Sequence, residues 1–218
     1  MSEPILILGA SGSGKSYAAR NMDPKTSLLI SVDGKRPPFS LKGWTKLEKG
    51  NESGSFYIPR RDNPYGSVKG AMKMAVENGK KTIFIDDSQF LLANDFFAKA
   101  HEKGYEKFTT MGQQFWNLIE FARDMPDDVT VYFLHHPELD AIGNVKVKTI
   151  GKMLDEKGSV EGRFTVCLLA QKVDGHHSIA ASLPDNSIVK APPEMFETDP
   201  LENDFAIIDK QIREYWGM

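Results

Sequence analysis

Gly9-Ala10-Ser11-Gly12-Ser13-Gly14-Lys15-Ser16 decides the fold. The stretch fits G-x-x-x-x-G-K-[ST] without departure. Ile5-Leu6-Ile7-Leu8 precedes it, a short apolar run suited to a strand buried on both faces of a parallel sheet. A helix is predicted from about Gly14 through Ala18-Ala19-Arg20 to about Met22, where Asp23-Pro24 stops it. Strand, glycine loop and helix in that order is the context that gives the motif its meaning. Glycines let the backbone curl until successive N–H groups point at one phosphate, and a helix N-terminus adds partial positive charge. The candidate phosphate-binding residues are Gly9, Ser11, Gly12, Ser13, Gly14, Lys15, Ser16 and Tyr17. Lys15 is expected to neutralise the β- and γ-phosphates of ATP, and the Ser16 hydroxyl to ligate Mg²⁺.

Outward from the loop, strands and helices alternate. Leu28 to Val32, Thr82 to Ile85 and Val129 to Leu134 read as buried strands, and Phe56 to Ile58 as a short one. Helices are predicted over Pro64–Asn78, Gln89 to about Ala100, and Lys107–Arg123. In the last, Phe108, Met111, Phe115, Leu118, Ile119 and Ala122 fall on one face. Residues 34–55 read as an irregular excursion. Residues 137–162 are charged and glycine-containing and read as an exposed flap, with a hairpin around Gly143-Asn144. Phe164–Ala170 and Ser178–Ser182 read as antiparallel strands joined at Asp174-Gly175. The helix Asp204–Trp216 is expected to bury Ile207, Ile208, Ile212 and Tyr215. The pattern predicts an α/β fold over residues 1–218 as one domain, its mostly parallel central sheet flanked by helices and extended by antiparallel strands toward the C-terminus.

A parallel sheet delivers the ends of its strands to one edge. Ile83-Phe84-Ile85-Asp86-Asp87 therefore brings two acids to the phosphate loop. Asp86 is the candidate for the metal and Asp87 for the attacking water or a helix cap. Successive residues on a strand point oppositely, so both reach one spot only through a turn. Phe133-Leu134-His135-His136 ends a neighbouring strand, and His136 is a candidate γ-phosphate sensor or a structural histidine. A His135-His136 metal pair has no evident third ligand. The catalytic candidates are thus Lys15, Asp86, Asp87 and His136. His176-His177 falls in the predicted turn and is expected to be solvated.

Composition narrows the class. Hydrophobic residues are 40% and charged residues 26%, ordinary for a globular chain. The single cysteine, Cys167, excludes an internal disulfide framework, and with no signal-like leader or spanning apolar run the expected location is the cytoplasm. A net charge of −3 argues against a dedicated nucleic-acid coat, so any such contact must be local.

The residues quoted resemble a family of bacteriophage-encoded, RecA-like P-loop ATPases related to Sak-type single-strand annealing proteins. The likeness covers the phosphate loop and Ile85-Asp86-Asp87-Ser88-Gln89-Phe90-Leu91. It continues through Gly104–Thr109, the strand ending at His135-His136, Lys148–Asp155, Glu161–Phe164, Lys190–Phe196 and Asn203-Asp204. It implies a RecA-like core, ATP as ligand, and a part in phage DNA recombination or replication. Single-stranded DNA, a single-stranded-DNA-binding protein and further copies of the chain are the implied partners. The family carries a glycine near position 194, where this chain has Glu194. RecA-like ATPases place a catalytic glutamate near position 33, where this chain has Asp33. They also send a basic residue to the neighbour's γ-phosphate, for which Lys152, Arg163 and Lys190 are candidates.

Basic loops able to track a phosphate backbone are Lys146, Lys148, Lys152 and Lys157 in the flap, and Lys35-Arg36 and Arg60-Arg61 earlier. Two other functions use the same loop. A small-molecule kinase needs an Arg-rich lid, and residues 137–162 hold no arginine. An ATP-dependent adaptor for a replication protein needs no catalytic acid.

Overall fold

A computed structural model describes residues 1–140, 143–150, 158–183 and 188–218. Five strands, β1 (Pro4–Leu8), β2 (Ser27–Ser31), β3 (Phe56–Tyr57), β4 (Thr82–Asp86) and β5 (Thr130–His135), lie parallel to one another. Between them run the helices α1 (Pro64–Glu77), α2 (Gln89–Ala98) and α3 (Glu106–Arg123). A hairpin of β6 (Pro137–Leu139) and β7 (Val145–Val147) follows. Then come β8 (Val166–Val173), β9 (His176–Ala180), β10 (Leu201–Glu202) and α4 (Phe205–Trp216). The main sheet has eight strands in the order β10-β9-β8-β1-β5-β4-β2-β3. β8 joins β1 in parallel, and β9 and β10 extend it antiparallel. The fold is α/β, with a mostly parallel mixed sheet flanked by helices.

Every residue of β1, β2, β4 and β5 is buried, because both faces of the sheet are covered. Strand alternation splits them between two cores. Leu6, Leu8, Ile83, Ile85, Val131 and Phe133 pack against α1, α2 and α3. Ile5, Ile7, Phe84, Tyr132 and Leu134 pack under α4 and the segment after the glycine-rich loop. In that second core Phe84, Tyr132 and Phe205 stack with centroids 4.9, 5.2 and 5.5 Å apart, each pair adding about 1 kcal/mol beyond area burial.

Caps set the helix limits. Asn63 Oδ1 accepts from Gly66 N at 3.1 Å ahead of Pro64, and Asp204 Oδ1 accepts from Ala206 N at 2.9 Å. Gly79 and Gly217 take positive φ at two C-termini. The β8–β9 turn has Asp174 and Gly175 at φ 50° and 84°, the twist-compatible hairpin geometry.

Three expectations need correction. The segment after the loop is a 3-10 helix over Ser16–Asn21, with Ala18 N shared between the carbonyls of Gly14 and Lys15. The buried face of α4 is Phe205, Ile208, Asp209 and Ile212, whereas Ile207 and Tyr215 are 41% and 45% exposed. The stretch 137–162 is not wholly an exposed flap: Val147 and Val160 sit in the core, while Leu139 is exposed. The hairpin around Gly143-Asn144 does form, although residues 141–142 and 151–157 lie outside the described ones.

At the sheet's opposite edge, buried Asp209 accepts from Thr130 Oγ1 and Tyr132 Oη, each at 2.8 Å, and from Arg213 Nε at 2.7 Å. Arg213 goes on to the carbonyls of Asp128 and Lys81 at 2.9 and 2.7 Å. This network ties α4 to the start of β4 and β5. Asp209 and Arg213 carried no local sequence signal beyond their one-turn spacing.

Candidate functional site

The loop Gly9–Ser16 leaves β1 at the sheet edge where β4 and β5 also end. Gly12 and Gly14 take φ 79° and 99°, which side-chain-bearing residues rarely adopt. A Cβ on Gly9 would stand 2.4 Å from Ser13 Oγ, so the loop can close only around glycine there. Gly9 N donates to His135 O at 3.2 Å, which pins the loop to β5. The Ser13 hydroxyl is buried without a hydrogen-bond partner among the described residues. That hydroxyl packs against Gly9, while the glycines Gly12 and Gly14 themselves line the cleft, where curled backbone suits an anion.

Lys15 lies buried beneath the loop, its Nζ donating to Gly9 O at 2.5 Å and Ala10 O at 3.2 Å. Burial lowers its pKa, and the nearby Asp87 and Asp86 charges pull it back up. Ser16 Oγ donates to Asp86 Oδ1 at 2.8 Å. Burial raises the Asp86 pKa to about 6, helped by the like charge of Asp87 and opposed by the Ser16 hydrogen bond and Lys15. A buried carboxylate against a hydroxyl beside a glycine-rich loop is a donor pair that a hard divalent cation keeping several waters would fit. Among the described residues no three His, Cys, Asp or Glu side chains converge as a metal cage.

Asp87 answers the question of how two consecutive acids face one place. Its φ is 56°, so the chain turns sharply after β4 and carries the second carboxylate back toward the cleft. Burial pushes its pKa up, but hydrogen bonds from His136 and Gln89 together with the Lys15 charge outweigh that and hold it low. His136 Nε2 lies 3.3 Å from Asp87 Oδ1, and Gln89 links the two by donating to Asp87 and accepting from His136 N at 3.2 Å. His135 faces away from this cluster. Its Nε2–H donates to Lys148 O at 2.7 Å, which leaves Nδ1 to accept from Ser88 Oγ at 2.8 Å, and burial lowers its pKa to about 4. It is therefore neutral and ties the end of β7 to the Asp86-Asp87 turn.

A cleft of about 440 Å³ opens above the loop, lined by Ser11, Gly12, Gly14, Lys15, Ser16, Tyr17, Pro38, Asp87, His136 and His177. Tyr17 stands 42% exposed at its mouth, with the Arg20 guanidinium 4.6 Å over its ring.

The structure adds residues that the sequence reading passed over. His177 is on β9, not in a turn, and its Nδ1 lies 3.0 Å from Ser13 O. Asn203 Nδ2 donates to Gly14 O at 3.3 Å. Arg20 Nη1 donates to Asn203 O at 2.6 Å, and Asn21 Nδ2 to Asp204 Oδ2 at 2.5 Å. The chain's C-terminal elements thus hold the loop from the side opposite β5. Only the Asn203-Asp204 block carried any sequence signal for this.

Other candidates sit elsewhere. Asp33 is paired with Lys35 Nζ at 2.5 Å and lines a neighbouring groove. Arg163 is bound to Glu120 and stacked 4.9 Å over Trp116, so it is engaged within its own chain. Lys146 pairs with Glu138 at 2.9 Å, Lys190 is exposed, and Lys152 and Lys157 lie outside the described residues. Glu194 has φ 66°, a conformation that favours glycine.

Compared with known proteins, the chain matches no protein-family model and no curated sequence. No helix among the described residues is long and apolar enough to cross a membrane.

Proposed function

We propose that the chain is an ATP-binding protein with a RecA-like P-loop core that hydrolyses ATP with Mg²⁺. The observation that carries this is the Ser16–Asp86 hydrogen bond beside buried Lys15, at the floor of a cleft lined by the glycine loop. Gly9–Ser16 would hold the phosphates through backbone N–H groups and Lys15, and Ser16 and Asp86 would hold the metal. When bound, Mg²⁺ neutralises charge on the β- and γ-oxygens.

Asp87 is kept ionised, which makes it a weak base. Its part is to accept a hydrogen bond from the attacking water and fix its line of approach, while the proton leaves with the phosphate product. Hydrolysis itself breaks the bond between the γ-phosphorus and the β–γ bridging oxygen as water oxygen bonds to phosphorus. His136 bridges Asp87 and the cleft, and so can register whether the γ-phosphate is present.

The proposed setting is a phage DNA recombination or replication module in the host cytoplasm, with ATP turnover coupled to single-stranded DNA. Association with further copies of the chain or with a single-stranded-DNA-binding protein belongs to the same reading. The motif order and the residue blocks of the family resemblance support it.

The test is calorimetry with Mg²⁺ and ATP, followed by steady-state hydrolysis with and without a single-stranded oligonucleotide. Saturable binding lost in Lys15→Ala is expected, as is turnover lost in Asp87→Asn with binding retained. No saturable binding of ATP by the wild-type chain overturns the reading.

A further inference from the structure

We infer that the groove beside the nucleotide cleft is a binding site for single-stranded nucleic acid. The inference deepens the function proposed above and rests on it for the link to ATP. It places the contact on a built surface of the core, where an aromatic ring stands exposed.

The groove, of about 550 Å³, lies between the end of β2, the loop into α1 and the outer face of α2. Lys35, Arg60 and Arg61 give it three cations, and Phe90 and Phe97 give it two rings. These cations concentrate on one side of a chain whose net charge is −3. Arg60 is paired with Asp62 and Lys35 with Asp33, yet the Arg60 and Lys35 side chains are 72% and 74% exposed. The Arg60–Asp62 pair is exposed on both sides and worth little, so Arg60 exchanges readily for a phosphate partner, whereas Asp33, 11% exposed, keeps Lys35 as its counter-ion at the groove.

Phe97 is 74% exposed on α2, although Phe96 beside it already reaches the core. An exposed ring in a groove that also holds cations offers a base a stacking face and its phosphates a counter-charge, which is how single strands are held without sequence preference. Paired bases in a duplex present no free face to it. A mononucleotide acceptor needs enclosure, because phosphoryl transfer in water is lost to hydrolysis. Phe97 stands at the open rim, where a stacked base has neighbours on either side.

The groove touches the ATP cleft through Phe90. The Lys35 ammonium lies 5.4 Å from the Phe90 ring, and the His136 ring lies 6.5 Å from it, edge to face. Gln89, next in sequence, holds Asp87 and His136. A strand seated on the groove therefore bears on the turn that carries both acids.

The test measures fluorescence anisotropy of a labelled oligothymidylate with the wild-type chain and with Phe97→Ala and Arg61→Ala, over a salt series. Binding of a fluorescent ATP analogue is followed in parallel. Phe97→Ala is expected to weaken oligonucleotide binding about tenfold. Arg61→Ala is expected to reduce the slope of log K against log salt by about 0.7. Both variants should bind the ATP analogue like wild type, which shows that they remain folded. The inference is overturned if both bind the oligonucleotide like wild type, or if a duplex of the same sequence competes equally. It is overturned too if thymidine monophosphate competes mole for mole and is phosphorylated, which makes the groove a kinase acceptor site. ATP-analogue binding without oligonucleotide binding sinks the groove and leaves the nucleotide reading standing. Oligonucleotide binding through these residues without ATP binding does the reverse.

Discussion

The Ser16 hydroxyl and the Asp86 carboxylate, seventy residues apart in sequence, meet at 2.8 Å. The carboxylate is buried, and its pKa of about 6 against an ordinary 3.8 means that the ionised form is held at a cost of about 3 kcal/mol. A group raised in this way contributes stability below pH 3.8, which is lost as pH rises through 6. Asp86→Asn keeps an acceptor for Ser16 and removes the charge. It is expected to raise Tm at pH 8 in the absence of nucleotide while lowering Mg²⁺-dependent ATP affinity at least tenfold. Thermal melts and magnesium titrations check the two halves, and a lower Tm would show that the charge is not the burden.

His135 has the opposite sign. Burial takes it from an ordinary 6.5 to about 4, so its contribution, about 3 kcal/mol, is complete above pH 6.5 and disappears as pH falls toward 4. Between pH 4 and 6 the two groups oppose one another and flatten the wild-type profile. Removing one should reveal the other: Asp86→Asn is expected to lose stability on acidification more steeply than wild type. Urea titrations from pH 4.5 to 7 decide it, and parallel curves would rule it out.

Much of this fold was written locally. Four buried strands announce themselves as apolar runs because both faces are covered, and the glycine loop needs no partner to be recognised. What stayed hidden depends on residues distant in sequence. Periodicity alone placed Ile207 and Tyr215 inside α4, yet the buried polar network claims Asp209 and rotates the helix toward Phe205. His177 looked like a turn residue because the first two residues of β9 are both polar and exposed and show no alternation to read. The 3-10 winding after Lys15 is set by Ala18 N bonding to two carbonyls, which no propensity reports.

Asp209 is the group on which the sheet's far edge depends. Asp209→Ala leaves Arg213, Thr130 and Tyr132 without their shared acceptor in a dry setting, and a loss of about 3–5 kcal/mol is expected. Replacing Asp209 and Arg213 together with leucine and methionine should restore part of it. Equilibrium denaturation of both single variants and of the double variant checks the difference, and a double-variant loss equal to the sum of the single losses would show that no coupling exists.

Glu194 stands exposed at φ 66°. A side chain in that region is disfavoured by about 1–2 kcal/mol, partly offset by the greater freedom glycine gains on unfolding. Glu194→Gly is therefore expected to be neutral or to stabilise by up to about 1 kcal/mol, and Glu194→Val to destabilise by more than 1 kcal/mol. Denaturation midpoints check both, and a valine variant as stable as wild type would count against strain at this turn.

Asn203, His177 and Asp204 reach back across the whole length of the polypeptide to grip the loop and the turn behind it. Translation delivers Gly9–Ser16 first and its brace last. On a ribosome the nascent chain therefore carries the motif long before it carries the site, and nucleotide capture should begin only when residues past 204 have cleared the exit tunnel. Timing of synthesis, and not the motif alone, would set when this molecule becomes competent.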